Sequence, residues 1–228
     1  MIDSMIRVER LTKIYDGKKR VLDDVSFSVE CGEFVTIHGK SGCGKTTLLN
    51  IIGGMDRPTS GRVIIDGQET TDFNEDELAR FRLAKIGFVF QDDNLLMDMT
   101  IRQNIALPLV LSKTKDRGRL DEVLKRFDIS HIAEEGANKV SGGEAQRAAI
   151  ARAMMNNPKI ILADEPTGNL DEENTTKVID AFKIASVEFK TTILLATHDK
   201  ELAKNSTTRI HLRDAHAIVE GRQENERS

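Results

Sequence analysis

Residues 39–46 read G-K-S-G-C-G-K-T and lie between an apolar run at 34–37 and a stretch of helical character from Thr46 onward. An apolar strand that turns through a glycine-rich loop into a helix is a unit of an α/β sheet, because the helix carries the chain back across the sheet face. The spacing G-x-x-x-x-G-K-[ST] also lets successive backbone N–H groups curl around phosphate oxygens at the helix N-terminus. Lys45 then reaches the β- and γ-phosphates, and Thr46 offers its hydroxyl to Mg²⁺. Glycine is needed wherever a Cβ would block that approach. The loop predicts a nucleoside triphosphate ligand held by Gly39, Lys40, Ser41, Gly42, Cys43, Gly44, Lys45, Thr46 and Thr47.

With 228 residues, 39% of them hydrophobic, the chain suits one large domain or one core with a smaller lobe. Cys31 and Cys43 form neither a disulfide framework nor a zinc spacing, and no apolar leader precedes the folded part, so a reducing cytoplasm is the expected compartment. A net charge of -4 with both signs mixed gives no electrostatic case for nucleic acid, and none is expected as a partner. The apolar run at 105–111 is broken by Pro108 and falls far short of the roughly 20 residues that span a bilayer. Any membrane role must come through a partner.

Strands are expected at 6–11, 25–29, 34–37 and 62–65, followed by a polar helix at 75–83 and a strand-rich run at 86–90. A mostly helical stretch at 100–157 reads as an inserted lobe. Parallel strands return at 160–163 and 192–196, separated by a helix at 175–189. From Gly221 onward the chain is polar and expected to be loose.

The strand at 160–163 delivers Asp164 and Glu165 at its carboxyl end, where ligands collect in open α/β sheets. Asp164 is placed to hold Mg²⁺ through its water shell and Glu165 to polarise an attacking water. Taken alone, the pair equally begins a polar loop. The string S-G-G-E from Ser141 spells a capping box, with the Ser141 hydroxyl accepting from the Glu144 N–H and Glu144 reaching back. The cap explains Ser141 and Glu144 but not Gly142 and Gly143, whose missing side chains open a helix N-terminus to an anion such as a γ-phosphate. That helix lies in the other lobe from Lys45. A head-to-tail pair, in which one molecule's S-G-G-E closes the nucleotide held by another, is an economical arrangement.

From about residue 5 to 221 the chain resembles the ATP-binding-cassette (ABC) nucleotide-binding subunits, on motifs that occur in the right order. Tyr15 sits where that family stacks a ring on adenine. G-K-S-G-C-G-K-T matches Walker A, Gln91 the Q-loop, V-S-G-G-E from Val140 the signature, and I-I-L-A-D-E from Ile160 Walker B with its glutamate. Asn169-Leu170-Asp171 matches the D-loop and Thr197-His198-Asp199 the H-loop. The resemblance implies an α/β fold, a P-loop NTPase ABC cassette with a RecA-like core, an N-terminal antiparallel β subdomain and an inserted α-helical subdomain. Within one ABC ATPase domain, the core and β subdomain would take 1–91 and 158–221, the helical signature subdomain 92–157, and a polar tail 222–228.

It further implies ATP and Mg²⁺ as cofactors and a homodimer that sandwiches two Mg-ATP. Lys45 and His198 would meet the γ-phosphate, Thr46, Gln91 and Asp164 would surround Mg²⁺, and Glu165 would be the general base. Ser141 and Gly143 would contribute from the opposite molecule, and Gly142, Glu144 and Asp171 would belong to the nucleotide-binding set as well. Singly, Tyr15 also reads as a strand-end aromatic, His198 as a strand cap, and Gln91 carries no signal. Two positions depart from the family pattern. Val140 and Glu144 replace the outer residues of L-S-G-G-Q, and Cys43 stands where serine or alanine is usual. A thiol at a helix N-terminus beside a lysine is expected to react with maleimide unless ATP protects it.

The strings N-I-I-G-G-M-D-R-P-T-S-G from Asn50, K-I-G-F-V-F-Q from Lys85, N-I-A-L-P-L from Asn104 and D-E-P-T-G-N-L-D from Asp164 resemble the branch serving lipoprotein release, macrolide and peptide export, and the cell-division permease. That branch implies an integral membrane permease as partner and a peripheral place on the cytoplasmic face of the membrane. Residues 92–111 would touch the permease, while Leu95, Leu96, Ile105, Leu107 and Leu109 also read as core of the helical lobe, and the two roles are compatible. The alternative is a soluble cassette acting in DNA repair or translation. Against it, the interval between Thr46 and Ser141 leaves no room for a long coiled coil, and only one set of motifs is present.

Overall fold

The computed structural model describes residues 4–113, 117–198, 202–203 and 206–220. Backbone contacts divide the chain into one unit of residues 1–78 with 192–228 and another of residues 79–191.

In the first unit, β1 (Ser4–Tyr15) and β2 (Lys19–Glu30) form an antiparallel hairpin. β4 (Ser60–Ile65) lies on the other side of β1, and the short β5 (Gln68–Glu69) pairs with β4. Ile6 and Val8 alternate inward along β1, Leu11 follows after an irregularity in the pairing, and Val25, Phe27 and Val29 alternate inward along β2, the two-residue period of a half-buried antiparallel sheet. A second sheet carries β3 (Phe34–His38) between two parallel neighbours, β8 (Thr192–Ala196) and β9 (Thr208–Arg213), with β10 (His216–Glu220) antiparallel to β9. Residues 34–37 and 192–196 are buried without alternation, the run expected of parallel strands covered on both faces. The phosphate loop leads from β3 into α1 (Lys45–Ile52), which buries Leu48, Leu49, Ile51 and Ile52.

The helix α2 (Glu75–Lys85) leads into the second unit, where β6 (Ile86–Val89) pairs in parallel with β7 (Ile160–Asp164). Between them in sequence come α3 (Ile101–Leu111), α4 (Arg117–Arg126) and α5 (Gly142–Ala153), and α6 (Glu172–Val187) follows β7. The small residues Ala145, Ala148, Ala149 and Ala151 let α5 pack closely against α3, α6 and β6.

The structure differs from the sequence expectations in three places. The helix after β7 begins at Glu172, before the expected 175, because the Asp171 carboxylate accepts the Asn174 N–H at 2.8 Å and caps it there. The strands β9 and β10 were not predicted, since Arg209, His211 and Arg213 interleave with Ile210 and Leu212 and mask a short alternating pattern. The hairpin β1–β2 runs to Tyr15 and restarts at Lys19, well beyond the apolar cores that predicted it. The tail beyond Gly221 lies outside the described residues, as does Asp199. Among the described residues no helix is long and apolar enough to cross a membrane.

Candidate functional site

In the first unit Lys45 opens α1 and is only 8% exposed, with its ammonium donating to the Gly39 carbonyl at 3.1 Å. No side chain caps this helix and its first turn holds no acid, so its N–H groups face a site of positive potential. The N-cap, Gly44, has φ +107°, and a Cβ there would lie 2.9 Å from the Val21 carbonyl oxygen. A Cβ on Gly39 would lie 2.3 Å from the Leu212 oxygen and 2.7 Å from Cys43 Sγ. These two glycines are therefore required by the chain's own packing as well as by any ligand. Beside the loop lies a cavity of about 800 Å³, lined by Lys40, Ser41, Gly42 and Cys43 together with Lys19, Arg20 and Arg213. Asp23 and Asp214 also line it and pair with Arg20 and Arg213, so the phosphate loop and Lys40 and Lys19 are the groups that suit a polyphosphate.

Tyr15 ends β1 with its ring partly exposed. Its hydroxyl donates to Asp56 Oδ2 at 2.6 Å, and Lys13 Nζ, itself 2.6 Å from Asp56 Oδ1, stands 4.6 Å from the ring centroid. Burial and the neighbouring Asp56 push the phenol pKa up. Burial works against ionisation of Asp56, but Lys13, Tyr15 and the Arg57 N–H together hold its carboxyl below the usual value. The ring is thus fixed in orientation, as a platform for a flat base must be. His198 is exposed one residue beyond Thr197, whose N–H donates to the Ile37 carbonyl at 3.0 Å. It leaves the end of β8 level with the start of the phosphate loop.

In the second unit Asp164 ends β7, and Glu165 follows at φ +46°, a left-handed conformation uncommon outside glycine. The Gly168 N–H donates back to the Glu165 carbonyl at 3.1 Å and closes the turn. Gln91 Nε2 donates to Asn169 Oδ1 at 3.3 Å, and Asn169 Nδ2 to Asp92 Oδ1 at 3.4 Å. A Cβ on Gly168 would lie 3.2 Å from Gln91 Nε2. The turn after the acid pair and the segment around Gln91 are therefore in direct contact, and Asp171, predicted to face nucleotide, caps α6.

The capping box at Ser141 forms as the sequence predicts. Glu144 Oε2 accepts from the Ser141 N–H at 2.9 Å and from its hydroxyl at 2.6 Å, while Ser141 Oγ accepts from the Glu144 N–H at 3.4 Å. The Ser141 hydroxyl and N–H, helped by His131 at 3.3 Å, hold the Glu144 carboxyl below the ordinary range against the opposing effect of burial. A Cβ on Gly143 would fall 2.1 Å from Asn174 Oδ1 on α6, whereas one on Gly142 would meet only Leu170 Cδ2 at 3.4 Å. The glycine pair was expected to serve an incoming anion. The structure adds a packing reason for Gly143, and only Gly142 is unconstrained from within the chain.

Two further residues went unnoticed in the sequence. Gln146 Nε2 donates to the Phe90 carbonyl at 2.9 Å. Arg152 donates from Nη1 to the Asn94 carbonyl and from Nη2 to the Asp93 carbonyl, each at 2.7 Å, and burial lowers its pKa. They tie α5 to the residues on either side of Gln91. The available signal was that Gln146 and Arg152 are among four long polar side chains in an alanine-rich helix.

A phosphate loop after a buried parallel strand, and an acid pair at the end of another, define the class as a phosphate-loop ATPase. Comparison with known proteins narrows it. Residues 22–168 match the family model described as ABC transporter. The chain is 43% identical over 225 residues to the ABC transporter ATP-binding protein YvcR of Bacillus subtilis (strain 168), covering 95% of this chain and 87% of that protein. It is 40% identical over 222 residues to the lipoprotein-releasing system ATP-binding protein LolD 1 of Chlorobium chlorochromatii (strain CaD3), covering 94% and 90%. Among solved structures, a dimeric post-hydrolysis state of the ATP-binding cassette MJ0796 bound to ADP and Pi matches with TM-score 0.86 and 40% identity, covering 95% of this chain and 98% of that one. The structure of cbiO1 from Clostridium perfringens, part of the ABC transporter complex cbiONQ, matches with TM-score 0.89 and 28% identity, covering 96% and 89%.

The chain belongs to the ABC transporter family. It is an ATP-binding subunit that hydrolyses ATP, with the α/β cassette fold, and its relatives include the lipoprotein-release branch that its sequence resembles. The comparisons support the transporter role and not the DNA-repair alternative.

Proposed function

We propose that this chain is the peripheral ATPase of a membrane permease, docked on the cytoplasmic face of the membrane and driving export, lipoprotein release or mechanical transmission. The observation that carries this reading is an apolar groove of about 290 Å³ in the second unit, lined by Phe88, Phe90, Leu107, Pro108 and Leu111. The 92–111 segment also leaves Leu96, Met97, Val110 and Leu111 exposed, the last two at 69% and 68%, while Leu95, Ile105 and Leu109 supply core. An exposed apolar strip of this kind marks a protein contact. The segment thus has both a packing role and a surface free for a permease helix.

In this reading Lys45 and the loop N–H groups hold the triphosphate of ATP, with His198 on the γ-phosphate and Tyr15 on adenine. Thr46, Asp164 and Gln91 present oxygen donors alone, the set that a hard Mg²⁺ takes, and they would hold that ion. The chemistry such an ion would supply there is neutralisation of charge on the transferred phosphoryl group. Glu165 orients the attacking water and accepts its proton, and the strained backbone at that residue is the kind of feature that collects at reacting sites. A second copy supplies Ser141, Gly142 and Gly143, with Glu144 and Asp171 beside them. Residues 92–157 act as the helical signature subdomain on a core of 1–91 and 158–221.

The test is an affinity pull-down of tagged Glu165→Gln from its native membranes in mild detergent with ATP, read by mass spectrometry. Recovery of a permease with a large external domain is expected. Recovery of only soluble or nucleic-acid-associated proteins would overturn the permease assignment and leave the ATPase standing.

A further inference from the structure

We propose that His38, His211 and Glu220 form a binding site for a first-row divalent transition metal of the Zn²⁺ class, built on the edge of the sheet that carries the phosphate loop. Three strands bring them together. In the parallel pairing of β3 with β9, His38 lies in register with His211. On β10, Glu220 lies in register with Arg209, two residues along β9 from His211 and on the same face. The Arg209 guanidinium donates through Nε to the Ala203 carbonyl at 3.1 Å, and the Glu220 carboxylate is turned to the imidazoles.

The geometry is that of a nearly assembled coordination shell. Glu220 Oε2 lies 3.6 Å from His38 Nε2, and Glu220 Oε1 lies 3.4 Å from His211 Nδ1. Ligand atoms around a tetrahedral zinc with bonds of about 2.0–2.1 Å stand roughly 3.4 Å apart, and each imidazole lies close to that distance from one oxygen of the Glu220 carboxylate. All three donor atoms lie within 4.8 Å of one another. The remaining edge closes by small rotations about side-chain bonds.

Two imidazoles and one carboxylate, with a fourth position left to water, is a known zinc set, and imidazole donors favour zinc, copper or nickel over Mg²⁺. The His38 and His211 rings stack at 4.6 Å and 15°, an arrangement that suits neutral rings and not two imidazoliums. Neutral imidazole is the form that ligates metal. The three side chains are about one-third to one-half exposed, so an ion can enter from solvent. His38 directly precedes Gly39, whose backbone packs against Leu212, the residue after His211. A bound ion would therefore clamp the base of the phosphate loop to β9 and β10.

The test is calorimetric titration of the purified, metal-free and nucleotide-free chain with ZnCl₂. A single saturable site per chain is expected. His38→Ala and His211→Ala should each weaken it by at least about 10- to 100-fold. His216→Ala, on β10 with Glu220 but facing Asp23 at 4.0 Å, should leave it unchanged. Co²⁺ substitution should give a spectrum without a thiolate charge-transfer band, which separates this site from Cys43. If an alanine variant does not fold, as judged by circular dichroism, His38→Gln and His211→Gln replace it. Absence of saturable binding, binding that survives loss of both histidines, or a thiolate band would each overturn the assignment.

Discussion

The N-termini of α1 and α5 are both glycine-rich and both predicted to meet phosphate, yet they are built in opposite ways. At α1 no side chain caps the helix, no acid stands in the first turn, and Lys45 is buried beside the loop. At α5 the same kind of backbone N–H groups are answered from within, by a Ser141–Glu144 capping box that places a carboxylate in the first turn. An anion is attracted by the first terminus and discouraged by the second. The difference teaches that α1 can hold ATP by itself. The end of α5 becomes attractive only when a phosphate already neutralised by Lys45 and a cation is brought to it. A helix end that is poor at capturing ATP alone suits a role in trans.

The largest effect that separates the two ends is expected from Lys45→Ala. Loss of one charge-stabilising donor costs about 10²- to 10³-fold in turnover, and ATP binding to a single chain should fall with it. Nucleotide-binding fluorescence measured beside steady-state phosphate release checks this, and intact ATP binding in the variant would erase the contrast with α5. Next comes Gly143→Ala. Its Cβ would run into Asn174, so the variant should lose about 1–3 kcal/mol in denaturant unfolding, and Asn174→Ala added to it should restore most of that loss. Failure of the second substitution to rescue would mean that Gly143 does not answer to packing.

How much of this was legible in the sequence differs between the two ends. At α1 the spacing of Gly39, Gly44, Lys45 and Thr46 announced both the strand-loop-helix and its ligand, because each residue type answers to local chemistry. At α5 the Ser141–Glu144 cap was equally legible, since its partners are three residues apart. The collision at Gly143 was not, because Asn174 lies on another helix. The same limit hid Gln146 and Arg152, which reach carbonyls more than fifty residues away, and the His38–His211–Glu220 cluster, which exists only once three strands are paired. Of the sheets, the apolar strands could be read, whereas the short alternating β9 and β10 could not be told from polar loop.

A smaller effect is expected from Ser141→Ala, which removes the cap at a cost of about 1 kcal/mol in thermal unfolding. ATP binding to the single chain should stay unchanged while ATP-dependent pairing is lost. A variant that pairs normally would show that the signature end does not touch nucleotide. The smallest effect is the pH response of the same cap. The Glu144 carboxyl is held below its ordinary value in the folded chain, so its contribution is fully present above the unfolded pKa. It erodes as pH falls through the window between the unfolded and folded values and is gone below the folded one. The stability difference between the parent chain and Glu144→Gln should accordingly be flat near neutrality and shrink only on acidification below the usual carboxylate range. A difference that shrank between pH 6 and 8 instead would contradict this reading of the cap.

The most direct measurement is the mass of Glu165→Gln in solution, by light scattering, with ATP and with ADP. Slow hydrolysis, down by about 10²- to 10⁴-fold when a general base is removed, should trap the ATP state. The account predicts two chains per particle with ATP, one with ADP, and one with ATP when Ser141→Arg is added. A particle of one chain under ATP, or a dimer indifferent to the nucleotide and to Ser141, would contradict the claim that α1 of one molecule and α5 of another share the phosphate.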